Sequence, residues 1–214
     1  AAHGIPLLVD ACAGLGRDPV PTAYDVLAGD ARSWGGPAGV GVLVVPARTR
    51  WRRPGPTAEA EGGRTDVEPV VPLVLAAAEA WQQAAYGREQ DAREAHELVG
   101  RIRAAAAALP DTEVVGDPQN RLAHVTTFSC LFVDGEALVD ELDRRGFAVA
   151  SGSACTSSAL APSHVLAAMG VLTHGNVRVT LPLASVDPRR GESVDRFCAV
   201  LPEAVGAVRS RLDR

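Results

Sequence analysis

Apolar positions near the start of the chain come in short unbroken runs. Ile5 to Val9 is one, ending on Asp10; Asp25-Val26-Leu27 and Val40 to Val45 are two more. Runs of this length without polar alternation predict strands in a sheet covered on both faces. Gly14, Gly16 and Pro19 separate the first run from the second, and Gly35-Gly36-Pro37-Ala38-Gly39 makes the turn before the third. Pro46 to Thr65, rich in Arg, Pro and Gly, reads as a loop. The period then changes. From Glu68 to about Tyr86 the Val, Leu and Ala residues predict a helix with Pro72 in its first turns, ended by Gly87. Asp91 is a suitable N-cap for a second helix, in which Leu98, Ile102, Ala105 and Leu109 recur at spacings of four, three and four and so share one face, stopped by Pro110.

Beyond that helix, Glu113-Val114-Val115, His124 to Val133, Phe147 to Ala150 and Asn176 to Leu181 predict strands. Gly135 to Arg145, Pro162 to Met169 and Ser193 to Leu212 predict helices. The alternation describes an α/β layer with helices to one side. The long helix leads into a second unit. There is no internal repeat and no low-complexity tract.

Composition narrows the function. A chain of 214 residues, 47% hydrophobic with net charge −5, can bury a substantial core and has the balance of a soluble globular protein. Its arginine clusters, such as Arg48 to Arg53, are short and interrupted, which argues against a nucleic-acid surface. No apolar run reaches the length of a membrane span and no signal peptide is evident, although the chain opens on Ala1 without a methionine. Cys12, Cys130, Cys155 and Cys198 are scattered, with no Cys-x-x-Cys pair, and His124, His164 and His174 have no metal spacing. That argues against zinc or a disulfide framework and for the reduced thiols of a cytoplasmic protein. All 21 basic residues are arginine; the chain contains no lysine.

The candidate chemistry centres on Ser151-Gly152-Ser153-Ala154-Cys155-Thr156-Ser157-Ser158, a run of small residues around one thiol. Such a run predicts an exposed loop, and an exposed thiol can reach a reactant where a core thiol is inert packing. Cys155 also precedes a helix whose expected first residue is Pro162, and its positive end would favour the thiolate modestly. Cys12, Cys130 and Cys198 lie in apolar patterns and read as small buried hydrophobes. His164 reads as a helix-surface residue, and the Gly35 to Gly41 turn has no Lys-Ser/Thr sequel and is no nucleotide loop.

This loop, followed by Ala161-Pro162-Ser163-His164-Val165-Leu166, Met169-Gly170 and Asn176-Val177-Arg178-Val179-Thr180, closely resembles the C-terminal region of cysteine desulfurases, pyridoxal-phosphate (PLP) enzymes of the class V aminotransferase group. The resemblance implies the C-terminal part of a fold-type I PLP-dependent transferase: a mostly parallel remnant of the large-domain sheet over residues 1–88 and a small α/β domain carrying the cysteine loop over 89–214. It implies that Cys155 carries sulfur as a persulfide and that Arg178 holds the substrate carboxylate, although a solvent-facing arginine in a Val-Arg-Val-Thr strand is the plainer reading. It further implies a homodimer working with a sulfur donor or acceptor protein. The segment that precedes this region in the family, with a ring-stacking histidine and a phosphate-binding turn, has no counterpart here. Either the chain is a piece of a longer polypeptide or the family has been cut down here, and the absent methionine favours the first.

Carried over residue by residue, the cofactor positions are depleted. Val9-Asp10-Ala11 resembles the strand-end aspartate that pairs with the pyridine nitrogen, while the family glutamine beside the ring falls on Ala13. Asp25 to Pro37 aligns onto the lysine segment, where serine, small residue, histidine and lysine become Asp30, Ala31, Arg32 and Ser33. Ser33 cannot form the Schiff base. Asp30, in place of a phosphate-binding serine, repels a phosphate by about 1 kcal/mol per charge pair in water and about 4 in a protein-like medium. That is a large part of the roughly 8 kcal/mol that a micromolar ligand gains in total. Arg32 could offset it with a forked contact to an anion. The family threonine that reaches across the dimer to the phosphate is Val67.

The expected function is a desulfurase-like protein that carries sulfur on Cys155 without covalent PLP. The alternatives are a PLP enzyme completed by a missing segment or partner, or with PLP held non-covalently, and a silent scaffold that regulates an active relative.

Overall fold

The computed structural model describes residues 4–212 except 54, 57 and 152–162. Its elements run β1 (Leu8–Asp10), β2 (Val26–Asp30), a 3-10 turn (Ala31–Trp34), β3 (Gly41–Val44), α1 (Ala60–Gly63), α2 (Val71–Ala107), β4 (Thr112–Val115), β5 (Val125–Cys130), α3 (Gly135–Arg144), α4 (His164–Ala168), β6 (Asn176–Thr180) and α5 (Arg190–Leu212). The chain divides into two compact units, Ala1–Asp91 and Ala92–Arg214, with the boundary inside α2.

The first unit carries a three-stranded sheet of order β1-β2-β3. Strands β1 and β2 are parallel, with Asp10 opposite Ala28, and β3 runs antiparallel to β2, so the sheet is mixed. Only β2 has buried positions, Leu27 and Gly29. Leu8 and Leu43 are exposed, so the expectation of a sheet covered on both faces fails for β1 and β3 among the described residues. A small core gathers Ala11, Leu15, Leu27, Ala31, Trp34 and Ala77. Trp34 anchors it: its ring meets Trp81 edge-on at 5.3 Å, and its indole N–H donates to the Ala77 carbonyl at 2.9 Å. The close approach requires glycine at position 16, where φ is +83° and a Cβ would collide with that of Trp34. Between the sheet and the first turns of α2 lies an open apolar cavity of about 370 Å³, lined by Leu15, Tyr24, Leu27, Trp34, Val74 and Trp81 among others.

Helix α2 corrects the sequence reading. Gly87 does not end it and Asp91 does not cap a new helix; the helix is continuous from Val71 to Ala107. An interior glycine costs only about 1 kcal/mol relative to alanine. Ala84, Ala85, Arg88, Glu89 and Gln90 on either side are good helix formers that outweigh it. Its second half buries Ala95, Leu98, Val99, Ile102 and Ala106, whereas Ala105 stands beside that stripe rather than in it.

The second unit packs this stripe and those of α3 and α5 against an antiparallel sheet of order β4-β5-β6. In α5, Val194, Phe197, Leu201 and Val205 are buried at spacings of three and four, and Asp187 accepts the Arg189 amide just before the helix begins. Asp134 N-caps α3, accepting the Ala137 amide at 2.8 Å, and Leu138 and Leu142 point into the core. On the same helix Glu141 is bound by Arg144, Arg145 and Arg211, and Arg145 also reaches Glu203, which ties α3 to α5. Phe147 to Ala150 is not a strand. Only Ala150 pairs, as a single bridge to Arg178, and Phe147 instead turns its ring edge-on to Phe197. The expected Pro162 to Met169 helix is five residues long, His164–Ala168, N-capped by Ser163; Pro162 lies outside the described residues. The loop expected over Pro46 to Thr65 contains the short turn α1. Among the described residues no helix is long and apolar enough to cross a membrane.

Candidate functional site

In the first unit, the candidate residues gather where two parallel strands end. Asp10 closes β1 and Asp30 closes β2, so two carboxylates stand at the carboxyl ends of neighbouring strands, where open α/β sheets place ligands. The Asp10 carboxylate accepts the Cys12 amide at 2.9 Å, and this bond holds its pKa below the ordinary aspartate value. Asp10 is therefore an anion at neutral pH. Cys12 is exposed rather than buried, contrary to its apolar sequence context, because the turn after β1 carries it outward. Its thiol pKa is pushed up, first by hydrogen bonding to Asp10 and then by burial and the surrounding carboxylates.

Asp30 caps the 3-10 turn that follows it. Its carboxylate accepts the Arg32 amide at 2.9 Å and also the Arg32 guanidinium, at 2.7 Å from Nη2 and 3.1 Å from Nε. The fork that the sequence reading left available to an anion is thus engaged by the neighbouring aspartate. The pair depresses the Asp30 pKa and raises that of Arg32, so both stay charged. Ser33 points elsewhere. Its hydroxyl lies 2.7 Å from the Leu15 carbonyl and 2.9 Å from the Asp30 carbonyl, and its own carbonyl accepts Arg17 Nε at 3.0 Å. A hydroxyl has one hydrogen to donate, and here the main chain takes it. Val67 is exposed and so is Ala13.

In the second unit, Arg178 sits at the centre of β6, opposite Thr127 of β5. Val177 and Val179 are buried and Arg178 and Thr180 exposed, so the guanidinium lies on the face away from the core. On its other side Arg178 exchanges main-chain hydrogen bonds with Ala150, at 2.6 Å from its own amide and 3.1 Å to its carbonyl. Cys155 lies outside the described residues. The last described residue before it is Ser151, which is buried and immediately follows the residue paired with Arg178. Cys130 is buried and Cys198 partly so, as their apolar contexts implied. His164 is exposed at the start of α4, and no cluster of metal-binding side chains occurs among the described residues.

The family model for class-V aminotransferases matches residues 1–187. The chain belongs to the class V aminotransferase family. The cysteine desulfurase NifS of Azotobacter vinelandii is 30% identical over 214 residues, covering 97% of this chain and 52% of its own. A cysteine desulfurase of Rhodobacter capsulatus is 32% identical over 214 residues, covering 97% and 55%. Among solved structures, a NifS-like protein superposes with TM-score 0.78 at 22% identity over 93% of this chain and 52% of its own. The apo cysteine desulfurase of Thermococcus onnurineus NA1 does so with TM-score 0.75 at 21% identity over 96% and 54%. This class V chain therefore spans about half the length of the relatives it matches.

Class V aminotransferases are PLP-dependent, and the strand-end residues can be tested against that group. Asp10, ionised and exposed, suits a protonated ring nitrogen. The others do not suit the rest of it: Asp30 puts a carboxylate at the turn, Arg32 is engaged by it, and Ser33 gives its hydrogen to the main chain. Sequence reasoning found Asp10 and Asp30 but missed the Asp30–Arg32 fork. The signal was present, since an aspartate two residues before an arginine at a turn start can both cap and pair.

Proposed function

We propose that this class V protein acts in sulfur metabolism as a sulfur carrier, without PLP held on a side chain. Cys155 receives sulfur and Arg178 binds a carboxylate. In the transfer the Cys155 thiolate attacks the outer sulfur of a donor persulfide. A sulfur–sulfur bond forms at Cys155, the donor's sulfur–sulfur bond breaks, and the donor leaves as its thiolate. Passing the sulfur on repeats the exchange with an acceptor thiol.

The observation that carries this reading is at Ser33. The chain has no lysine, and Ser33, which the resemblance sets at the family's lysine position, has its hydroxyl against the Leu15 and Asp30 carbonyls. The relatives named as cysteine desulfurases support the sulfur chemistry, and the exposed mid-strand position of Arg178 supports an accessible cation. A donor or acceptor protein and a second copy of the chain are the partners that this family implies.

The test is mass spectrometry of the chain after incubation with an active desulfurase and cysteine. One added sulfur on the Cys155 peptide, absent from a Cys155→Ala variant, is expected; no added sulfur refutes the reading. The ionised Asp10 favours one alternative, a PLP enzyme with non-covalent cofactor. An ultraviolet–visible titration with PLP decides it, and a saturable cofactor band would replace the first reading with the second.

A further inference from the structure

Helix α3 and the segment after it close on themselves. The Phe147 amide donates to the Leu142 carbonyl near the end of the helix, and four residues later Ser151 lies at its first turn, against Gly135. A ten-residue helix is about 15 Å long, a distance that five residues of chain can retrace. At the point of closure, a methyl group on Gly135 would stand 3.1 Å from the Ser151 hydroxyl and 3.1 Å from the Asn176 carbonyl. Both of those residues are buried. One step along the chain from Ser151 is Ala150 and two from Asn176 is Arg178, the hydrogen-bonded pair.

Gly135 has no unusual backbone angle that would demand glycine; space is what its position lacks. Alanine would even be the better residue for the helix taken alone.

We propose that Gly135 is a positioning residue: its missing side chain lets Ser151 and Asn176 seat against the first turn of α3, and this seating fixes the Ala150–Arg178 pair. Arg178 and Ser151, the last described residue before Cys155, are thereby held in register with each other. The functional part of this inference rests on the sulfur-carrier reading, whereas the seating itself does not.

The test uses the full chain with Gly135→Ala and with Gly135→Ala combined with Ser151→Ala, which removes the hydroxyl that the new methyl crowds. Residue-resolved amide exchange in Gly135→Ala should be at least tenfold faster at Ala150 and Arg178 and within twofold of wild type across Val125–Cys130. The double variant should recover at least threefold of that loss. Sulfur loading on Cys155 from an active desulfurase should fall at least fivefold in Gly135→Ala, while alkylation of the same thiol by iodoacetamide stays within twofold. Unchanged exchange at Ala150 and Arg178, or acceleration spread evenly over the sheet, overturns the seating. Equal loading despite faster exchange overturns the link to Cys155. A wild-type chain that takes up no sulfur refutes the carrier reading and leaves the exchange data to decide Gly135.

Discussion

Ser33 and Leu15 are joined by a hydrogen bond from hydroxyl to main-chain carbonyl, 2.7 Å long. The bond fastens the 3-10 turn after β2 to the loop after β1, so the serine has a structural task whatever chemistry the strand ends perform. Ser33→Ala should lower the stability of the first unit by about 1 kcal/mol, the usual net worth of one such bond. Trp34, Trp51 and Trp81 all lie in that unit. Tryptophan fluorescence during urea unfolding therefore reads it selectively.

Trp34 should be the most sensitive position of the same unit. Trp34→Ala removes a side chain only 3% exposed, its edge-on contact with Trp81 and its bond to the Ala77 carbonyl, at an expected cost of about 3–5 kcal/mol. Gly16→Ala, which sets a methyl against the Trp34 side chain at positive φ, should destabilise the unit in the same direction. Urea midpoints followed by the remaining tryptophans check both, and a wild-type midpoint in either variant contradicts the packing described.

The thiol beside Asp10 should be exposed yet sluggish. Hydrogen bonding to Asp10 pushes the Cys12 pKa up, so little thiolate forms near neutral pH. Asp10→Asn keeps an oxygen for the Cys12 amide and removes the charge, and it should speed iodoacetamide labelling of Cys12 several-fold at pH 8. Peptide mass spectrometry of the labelled sites measures this, with buried Cys130 as the unreactive internal standard.

Glu141 should give the second unit an acid-sensitive component. Hydrogen bonds from Arg145 and Arg211 hold its pKa below the ordinary 4.5, against burial acting upward, with Arg144 adding to the arginine field. A carboxyl whose folded pKa is depressed contributes stability above its unfolded value, and that contribution is lost as pH falls from 4.5 through the folded value. Circular dichroism melts between pH 7 and pH 3 should show the loss. Glu141→Gln should be less stable at pH 7 and should flatten this part of the profile; an unaltered profile would count against the arginine network as its source.

Arg178→Ala should separate fold from function. Strand β6 is held by main-chain bonds to β5 and Ala150, and the guanidinium is exposed, so stability should change by no more than about 0.5 kcal/mol. If the side chain binds a carboxylate of the sulfur donor, uptake from an active desulfurase supplied with cysteine should fall at least tenfold. A large loss of melting temperature would show instead that the side chain supports the sheet.

Hydrophobic patterning located every strand of both sheets to within a few residues and added one at Phe147 to Ala150, where Phe147 and Val149 pack against the core, Ala148 is exposed and only Ala150 joins the ladder. Period reading failed where a single residue was given too much weight. Gly87 and Asp91 look like a stop and a start, yet neither outweighs the helix formers around them. The strand-end carboxylates were legible because they terminate apolar runs. Their partners were not, since Asp30 joining Arg32 and Ser33 facing Leu15 depend on the path of a turn that no residue pattern specifies. Gly135 was invisible for the same reason: its neighbours Ser151 and Asn176 are sixteen and forty-one positions away.

The ring that Asp30 and Arg32 make within one short turn also shapes the field outside the protein. Their charges cancel at close range, so the guanidinium offers no monopole to a distant dianion. The pair therefore adds nothing to the long-range attraction that speeds the capture of phosphorylated ligands elsewhere. Whatever ligand meets this pair is selected there by short-range fit, and neutralising both members together should leave the ionic-strength dependence of its arrival unchanged.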